Sequence, residues 1–198
     1  MKREELVLKN AARIEAGYPF RGKIPEDATS EVLAVQMKDT HSQTGVDWES
    51  CIRTELTGKQ PSQWLEEGDI LLAARGNQNY AVLINASIGE RRAVAAPHFF
   101  VIRCDRELLL PEFLHFLLNS ASCQRYFQRE SEGTLTKSIR RSTLENAPIA
   151  IPDLQTQYSL VRLSETLFEE RRQAEALIRN GDQILNAIAN DLFKSFNH

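Results

Sequence analysis

Cysteine is scarce in this chain: Cys51, Cys104 and Cys123 are odd in number and far apart. They make neither a disulfide framework nor a metal-binding spacing, which excludes a small scaffold stapled by bridges and fits a reducing cytoplasm. Histidine is as sparse. His41, His98, His115 and His198 are scattered, none at ligand spacing with another His or Cys, so no metal site is expected. Apolar runs of about eighteen residues are missing too, which leaves no candidate membrane span. The opening Met-Lys-Arg-Glu-Glu lacks a signal-peptide core, so export is not expected. Excess positive charge is also absent. A net charge of −3 argues against a protein that coats nucleic acid by bulk electrostatics.

Recognisable catalytic patterns are wanting as well. Asn146-Ala147-Pro148-Ile149 lacks the second proline and the aromatic of an amino-methyltransferase motif, and Gly58-Lys59-Gln60 lacks the spacing and hydroxyl of a phosphate loop. Pro152-Asp153 begins a nuclease-like dipeptide, but no Glu-x-Lys follows within reach. A small hydrolase needs a convergent set of titrating groups, and none can be assembled. No catalytic residue is assigned, and the chain itself is expected not to be an enzyme.

What is present is globular: 42% hydrophobic and 26% charged residues in a chain of 198, enough for one domain and an extension. SEVLAVQM (30–37), NYAVLINAS (79–87) and AVAAPHFFVIRC (93–104) read as strands, the last bent or edged at Pro97. WLEEGDILLAARGN predicts a turn at 67–69, a buried strand over 70–74 and a loop opening at Arg75. Leu110-Pro111-Glu112 starts a helix whose apolar period runs on to Tyr126 and Phe127. Residues 121–141 hold five basic side chains against two acidic ones, a local basic patch on a mildly acidic chain.

The stretch APIAIPDLQTQ (147–157) marks a boundary between a domain over 1–152 and a helix over 153–198. Ile149 and Ile151 suit one face of a short strand that Pro148 restricts to an edge; Pro152 ends it and Asp153 caps a helix from Leu154. Heptad positions then follow at Leu160, Leu163, Leu167, Ala174, Leu177, Ile184 and Ile188, with Ile178, Leu185 and Leu192 beside the seam. Arg179-Asn180-Gly181-Asp182 admits a turn between two antiparallel helices. Continuity is preferred, since one glycine costs about 1 kcal/mol and the phase is kept. A helix of about 60 Å outreaches a domain of about 150 residues, so a second copy or a partner helix is expected to cover its stripe.

The order of these parts resembles the specificity subunit of type I restriction–modification enzymes, as one target recognition domain followed by one conserved helix. ARIEAGYPFRGK (12–23), LEEGDILLAARGN (65–77), LLLPEFLHFLLNSAS (108–122) and EGTLTKSIRRSTLENAPIAIPDLQTQ (132–157) carry the likeness, each weak alone and specific in this order. Asp153 and Thr156 depart from the family's usual proline-rich boundary. The common form has two such domains and two helices in one chain; this sequence has one of each and no internal repeat, as in a half-length subunit that pairs with itself. The resemblance implies a mixed α/β domain built on a curved, irregular sheet, with a coiled-coil-type helix behind it. It also implies binding of double-stranded DNA, a partner adenine methyltransferase subunit using S-adenosylmethionine, no cofactor on this chain, and where one joins, a restriction subunit.

Base reading needs side chains that reach groove edges and donors that position the backbone. Arg75, Asn77, Gln78, Asn79 and Tyr80, opened by Gly76, form one candidate loop; the alternative is a turn whose amides bond their own backbone. Thr134, Thr136, Lys137, Ser138, Arg140 and Arg141 form the second, or else a solvated basic loop. Lys38, His41 and Gln43 make a weaker third set, more readily an ordinary hydrophilic loop, and Tyr18, beside Arg21 and Lys23, is more readily a packed aromatic. The competing function is an assembly scaffold that uses the long helix and never touches DNA.

Overall fold

A computed structural model describes residues 5–56, 64–76, 79–131 and 138–196. In chain order they form β1 (Glu5–Val7), β2 (Ala12–Ala16), β3 (Val32–Val35), β4 (Thr40–His41), β5 (Gly45–Val46), β6 (Ile52–Arg53), β7 (Ile70–Ala73), β8 (Ala81–Leu83), β9 (Arg92–Ala95), β10 (Phe99–Cys104), α1 (Pro111–Asn119), α2 (Ala121–Glu130), α3 (Arg141–Glu145), β11 (Pro148–Ala150) and α4 (Leu154–Phe196). The chain divides into compact units over 1–158 and 159–198. The class is mixed α/β, with the strands shared among several small sheets.

The central sheet has the order β2-β10-β7-β8, every pair antiparallel. Ile-Leu-Leu-Ala of β7 is buried at all four positions, because both faces of this sheet are covered. Leu71 and Ala73 point with Val82, Phe99 and Val101 toward Leu33, Val35, Ala93 and Ala95, which come from a second sheet of order β6-β3-β9. Ile70, Leu72 and Ile102, one residue out of phase, take the other face. There α1 lies against β8 and β10 and brings buried Phe113, Leu114 and Leu118.

The quoted motifs are structural fixings. Gly17 lets β2 leave the sheet beside β9, since a Cβ there would collide with the Ala96 carbonyl. Tyr18 is buried edge-on against Phe20, centroids 4.7 Å apart, as a packed aromatic. Gly68 turns at φ +92, and Asp69 accepts from the Glu66 amide at 3.1 Å and from Arg103 at 2.8 Å. Burial pushes the Asp69 carboxyl up, and the Arg103 guanidinium opposes that.

Several expected elements are shorter or divided. Strand 30–37 is held to Val32–Val35, and 79–87 contributes only Ala81–Leu83 before a 3-10 turn at Ala86–Ile88. Residues 93–104 supply two strands with the turn at Pro97 between them. The helix expected to run from Pro111 through Phe127 breaks at Ser120. Its hydroxyl takes the Cys123 amide and starts a new helix, while Asn119 turns back to exchange two 3.0 Å bonds with the Ala81 backbone. Pro148 is the first residue of β11 in a two-stranded sheet with β1, with Ile149 opposite Leu6, and Asp153 Oδ1 accepts from the Thr156 amide at 2.8 Å.

The 43 residues of α4 are continuous through Gly181. Leu160, Leu163, Leu167, Ala174, Leu177, Ile178, Ile184, Leu185, Ile188 and Leu192 are exposed, Leu177 by 72%. Polar positions pair locally, as in the two 2.8 Å bonds from Arg172 to Glu169. Among the described residues, no helix is long and apolar enough to cross a membrane.

Candidate nucleic-acid interface

β7 delivers the chain to Ala74 and Arg75, where it meets a segment more than sixty positions later. Arg75 and Ser138 form an isolated antiparallel bridge, and the Ile139 amide donates to the Ala74 carbonyl at 3.0 Å. Buried Ile139 pins the contact, while Arg75 and Arg140 stay exposed. The start of the first candidate loop, at Arg75, and the end of the second, at Ser138, are thus neighbours. Asn77, Gln78, Thr134, Thr136 and Lys137 lie outside the described residues.

Two members of the first loop turn inward. Asn79 is 5% exposed and its amide donates to the Ala73 carbonyl at 2.8 Å, so its side chain closes the turn and is not presented to a base. Gln124 of α2 fixes the same turn by donating to the Asn79 carbonyl at 2.8 Å. Tyr80 is half-buried against the core. Its hydroxyl donates to the Met37 carbonyl at 3.1 Å and lies 2.9 Å from Thr40 Oγ1. For these two residues the turn that bonds its own surroundings is the arrangement present. In the second loop, Arg141 begins α3 and its Nε donates to Glu145 at 2.7 Å, which spends its charge within the helix.

Tyr80 also brings in the third set. Met37–Asp39 is a 3-10 turn closed by reciprocal bonds between Gln36 and Asp39, and β4 and β5 follow as a hairpin with Thr40 opposite Val46 and His41 opposite Gly45. Gly45 takes φ +89 at the end of the tip. On the other side, His115 of α1 has Nε2 2.9 Å from the Ser42 carbonyl, so that nitrogen carries the proton. Burial holds the His115 imidazole below its ordinary range, opposed by the Ser42 and Ala81 carbonyls and by Glu112. Lys38, His41, Gln43 and Thr44 are exposed on this hairpin. Among the described residues neither Lys38 nor Arg75 forms an ion pair.

The anchors Thr40, Ser42 and His115 were not singled out from sequence, since each works through a backbone carbonyl or a distant hydroxyl. A separate open cleft of about 550 Å³ is lined by Lys9, Arg13, Arg103 and Arg141. Its cations are committed: Lys9 to Asn146, Arg13 and Arg103 to Glu15, Arg141 to Glu145. Among the described residues no group of three or more His, Cys, Asp or Glu is placed to hold a metal ion.

The family described as "Type I restriction modification DNA specificity domain" matches residues 35–176. The EcoBI specificity subunit of a type I restriction enzyme from Escherichia coli is 26% identical over 114 residues, 57% of this chain and 23% of that protein. The HindI specificity subunit from Haemophilus influenzae is 29% identical over 141 residues, 69% of this chain and 29% of that one. Among solved structures, the HsdS subunit from Thermoanaerobacter tengcongensis superposes with a TM-score of 0.65 at 22% identity, covering 88% of this chain and 44% of that one. The type I S subunit from M. genitalium gives 0.54 at 15%, over 86% of this chain and 40% of that one. The chain thus spans under a third of the curated relatives and under half of the solved chains, which share its fold.

Proposed function

The chain belongs to the type I restriction modification DNA specificity domain family, and from that premise we propose that it reads DNA sequence for a type I-like restriction–modification or methyltransferase complex. It binds duplex DNA, selects the bases, and presents the site to a DNA adenine methyltransferase subunit that carries S-adenosylmethionine. The chain contributes no catalytic group. Methyl transfer belongs to the partner, and cleavage to a restriction subunit where one joins.

The observation that carries this reading is the Arg75–Ser138 bridge, which brings together two polar positions from distant parts of the sequence. A contiguous surface of cations, hydroxyls and backbone donors is what positioning on phosphates and reading base edges require. The exposed stripe from Leu160 to Leu192 supports pairing with a second copy. Each fully buried Leu or Ile adds roughly 1.5–3 kcal/mol. Two copies related by a two-fold axis would each read a half-site, with the paired helices setting the interval, so the target is a palindrome with an unspecified centre.

Co-expression with an adenine methyltransferase subunit, followed by genome-wide mapping of methylated adenines, tests the reading. A split palindrome is expected. Methylation unrelated to sequence, with the protein present and the methyltransferase active, overturns it. Pairing of the chain without DNA binding or any methylation pattern would instead identify an assembly scaffold.

A further inference from the structure

We propose that the β4–β5 hairpin is a base-reading element in its own right, with Gln43 and His41 as specificity-determining residues and Tyr80 as the residue that positions them. This rests on the DNA-reading function proposed above and adds to it a named element and its support. Among the described segments around Arg75, residues 40–46 form a two-stranded ribbon, and the major groove admits a ribbon of that kind. Ser42, Thr44 and Gly45, the last at φ +89, add little bulk beside His41 and Gln43 at the tip. His41, Gln43 and Thr44 are exposed there, with Lys38 exposed at the foot.

The ring of His41 is already oriented. Its Nδ1 accepts the Gln43 amide at 3.2 Å, which leaves Nε2–H as the outward donor in the neutral ring. A donor of that kind suits guanine N7 or O6, while the Gln43 carboxamide matches the donor–acceptor pair of adenine. Two-residue strands hold no such geometry alone. Two external fixings do: the Tyr80 hydroxyl at Met37 and Thr40, and the His115 ring at the Ser42 carbonyl. Gly76 lies close as well, since a Cβ there would come 3.3 Å from Met37 Cε. Removing the Tyr80 hydroxyl frees the ribbon foot without removing the ring from the core.

The test is selection of bound duplexes from a randomised pool by the full chain with its methyltransferase partner, repeated for each variant. In Gln43→Ala or His41→Ala, the preference at one target position falls about tenfold, read as the ratio of preferred to disfavoured base. Tyr80→Phe and Thr40→Val blunt the same position, and Thr40→Ser, which keeps a hydroxyl, restores it. A merely structural role for Tyr80 would lower the melting temperature and leave the base preference intact, and that result overturns its positioning role. If the unaltered chain selects a target and Gln43→Ala and His41→Ala select it with undiminished preference, the hairpin is not a reader although the DNA-reading function stands. If the unaltered chain selects nothing, both readings fall together.

Discussion

The Gln157 carboxamide and the Leu110 backbone close the joint at which α4 begins: the Leu110 amide donates to Gln157 Oε1 at 2.9 Å. Gln157 Nε2 donates in turn to the Leu108 and Pro152 carbonyls, at 2.9 and 2.8 Å. The side chain has no exposed surface, and a single residue satisfies three backbone groups that have no strand or helix partner among the described residues. Gln157→Ala would strand all three away from water, at a cost of roughly 3 kcal/mol. Urea unfolding at fixed protein concentration measures it. Gln157→Glu is expected to be at least as damaging, because it keeps the acceptor for Leu110 but sets a carboxylate against two carbonyls. Unchanged urea midpoints for both variants would show that the joint is held some other way.

His115 makes stability depend on pH in a stated direction. Its folded imidazole is held below the ordinary value of 6.5, with burial the largest cause. The unfolded chain therefore binds the proton first as pH falls, and stability declines below about 6.5 until the folded ring is protonated too. His115→Gln retains a donor for the Ser42 carbonyl and removes the titration. Comparing urea midpoints at pH 7.5 and 5.5, the unaltered chain should lose more than the variant. Equal losses would assign the whole acid sensitivity to carboxylates.

Features carried by local chemistry were legible in the sequence, and features carried by distant partners were not. Pro152 and Asp153 announce the start of α4 because a proline stop and an aspartate cap act within three residues. Continuity through Gly181 followed from the unbroken phase of Leu177, Ile184 and Ile188. The break at Ser120 is hidden in the sequence because Leu117 to Phe127 keep a helical period across it; what makes it is Asn119 bonding the Ala81 backbone at the end of α1 and the Ser120 hydroxyl capping α2 at the Cys123 amide. Asn79 suits a base-reading amide and a turn-bonding one alike in the sequence, and its bond to the Ala73 carbonyl settles the choice through a contact that local chemistry does not specify. The β4–β5 ribbon left almost no mark: His-Ser-Gln-Thr-Gly has the composition of a loop, and Tyr80 and His115 hold it from elsewhere in the chain.

The stripe on α4 gives a prediction that does not involve DNA. Leu167 and Leu177 occupy seam positions about three helical turns apart and are exposed. Replacing both with Asp removes two apolar contacts of roughly 2 kcal/mol each and adds buried charge, enough to weaken a dimer more than about a thousandfold. Sedimentation velocity should then give a monomer with unchanged helix content by circular dichroism. A variant that sediments as the unaltered chain does, in an undiminished dimer, would remove this stripe as the pairing surface.

Arg75 separates the two ways a cation can serve a DNA reader. It is exposed, sits on the backbone bridge to Ser138, and forms no ion pair among the described residues. A guanidinium held at its root by a backbone bridge suits bidentate contact with guanine O6 and N7, an interaction that discriminates by about 1–3 kcal/mol. Arg75→Ala should therefore relax base preference at one position of the target, by about tenfold or more. The alternative is a phosphate contact, for which Arg75→Ala weakens all duplexes alike and lowers the salt dependence by about one counterion. Fluorescence anisotropy on the target and on a scrambled duplex, each across a salt series, distinguishes the outcomes. Parallel losses on both duplexes with a shallower slope would move Arg75 from base reading to backbone positioning.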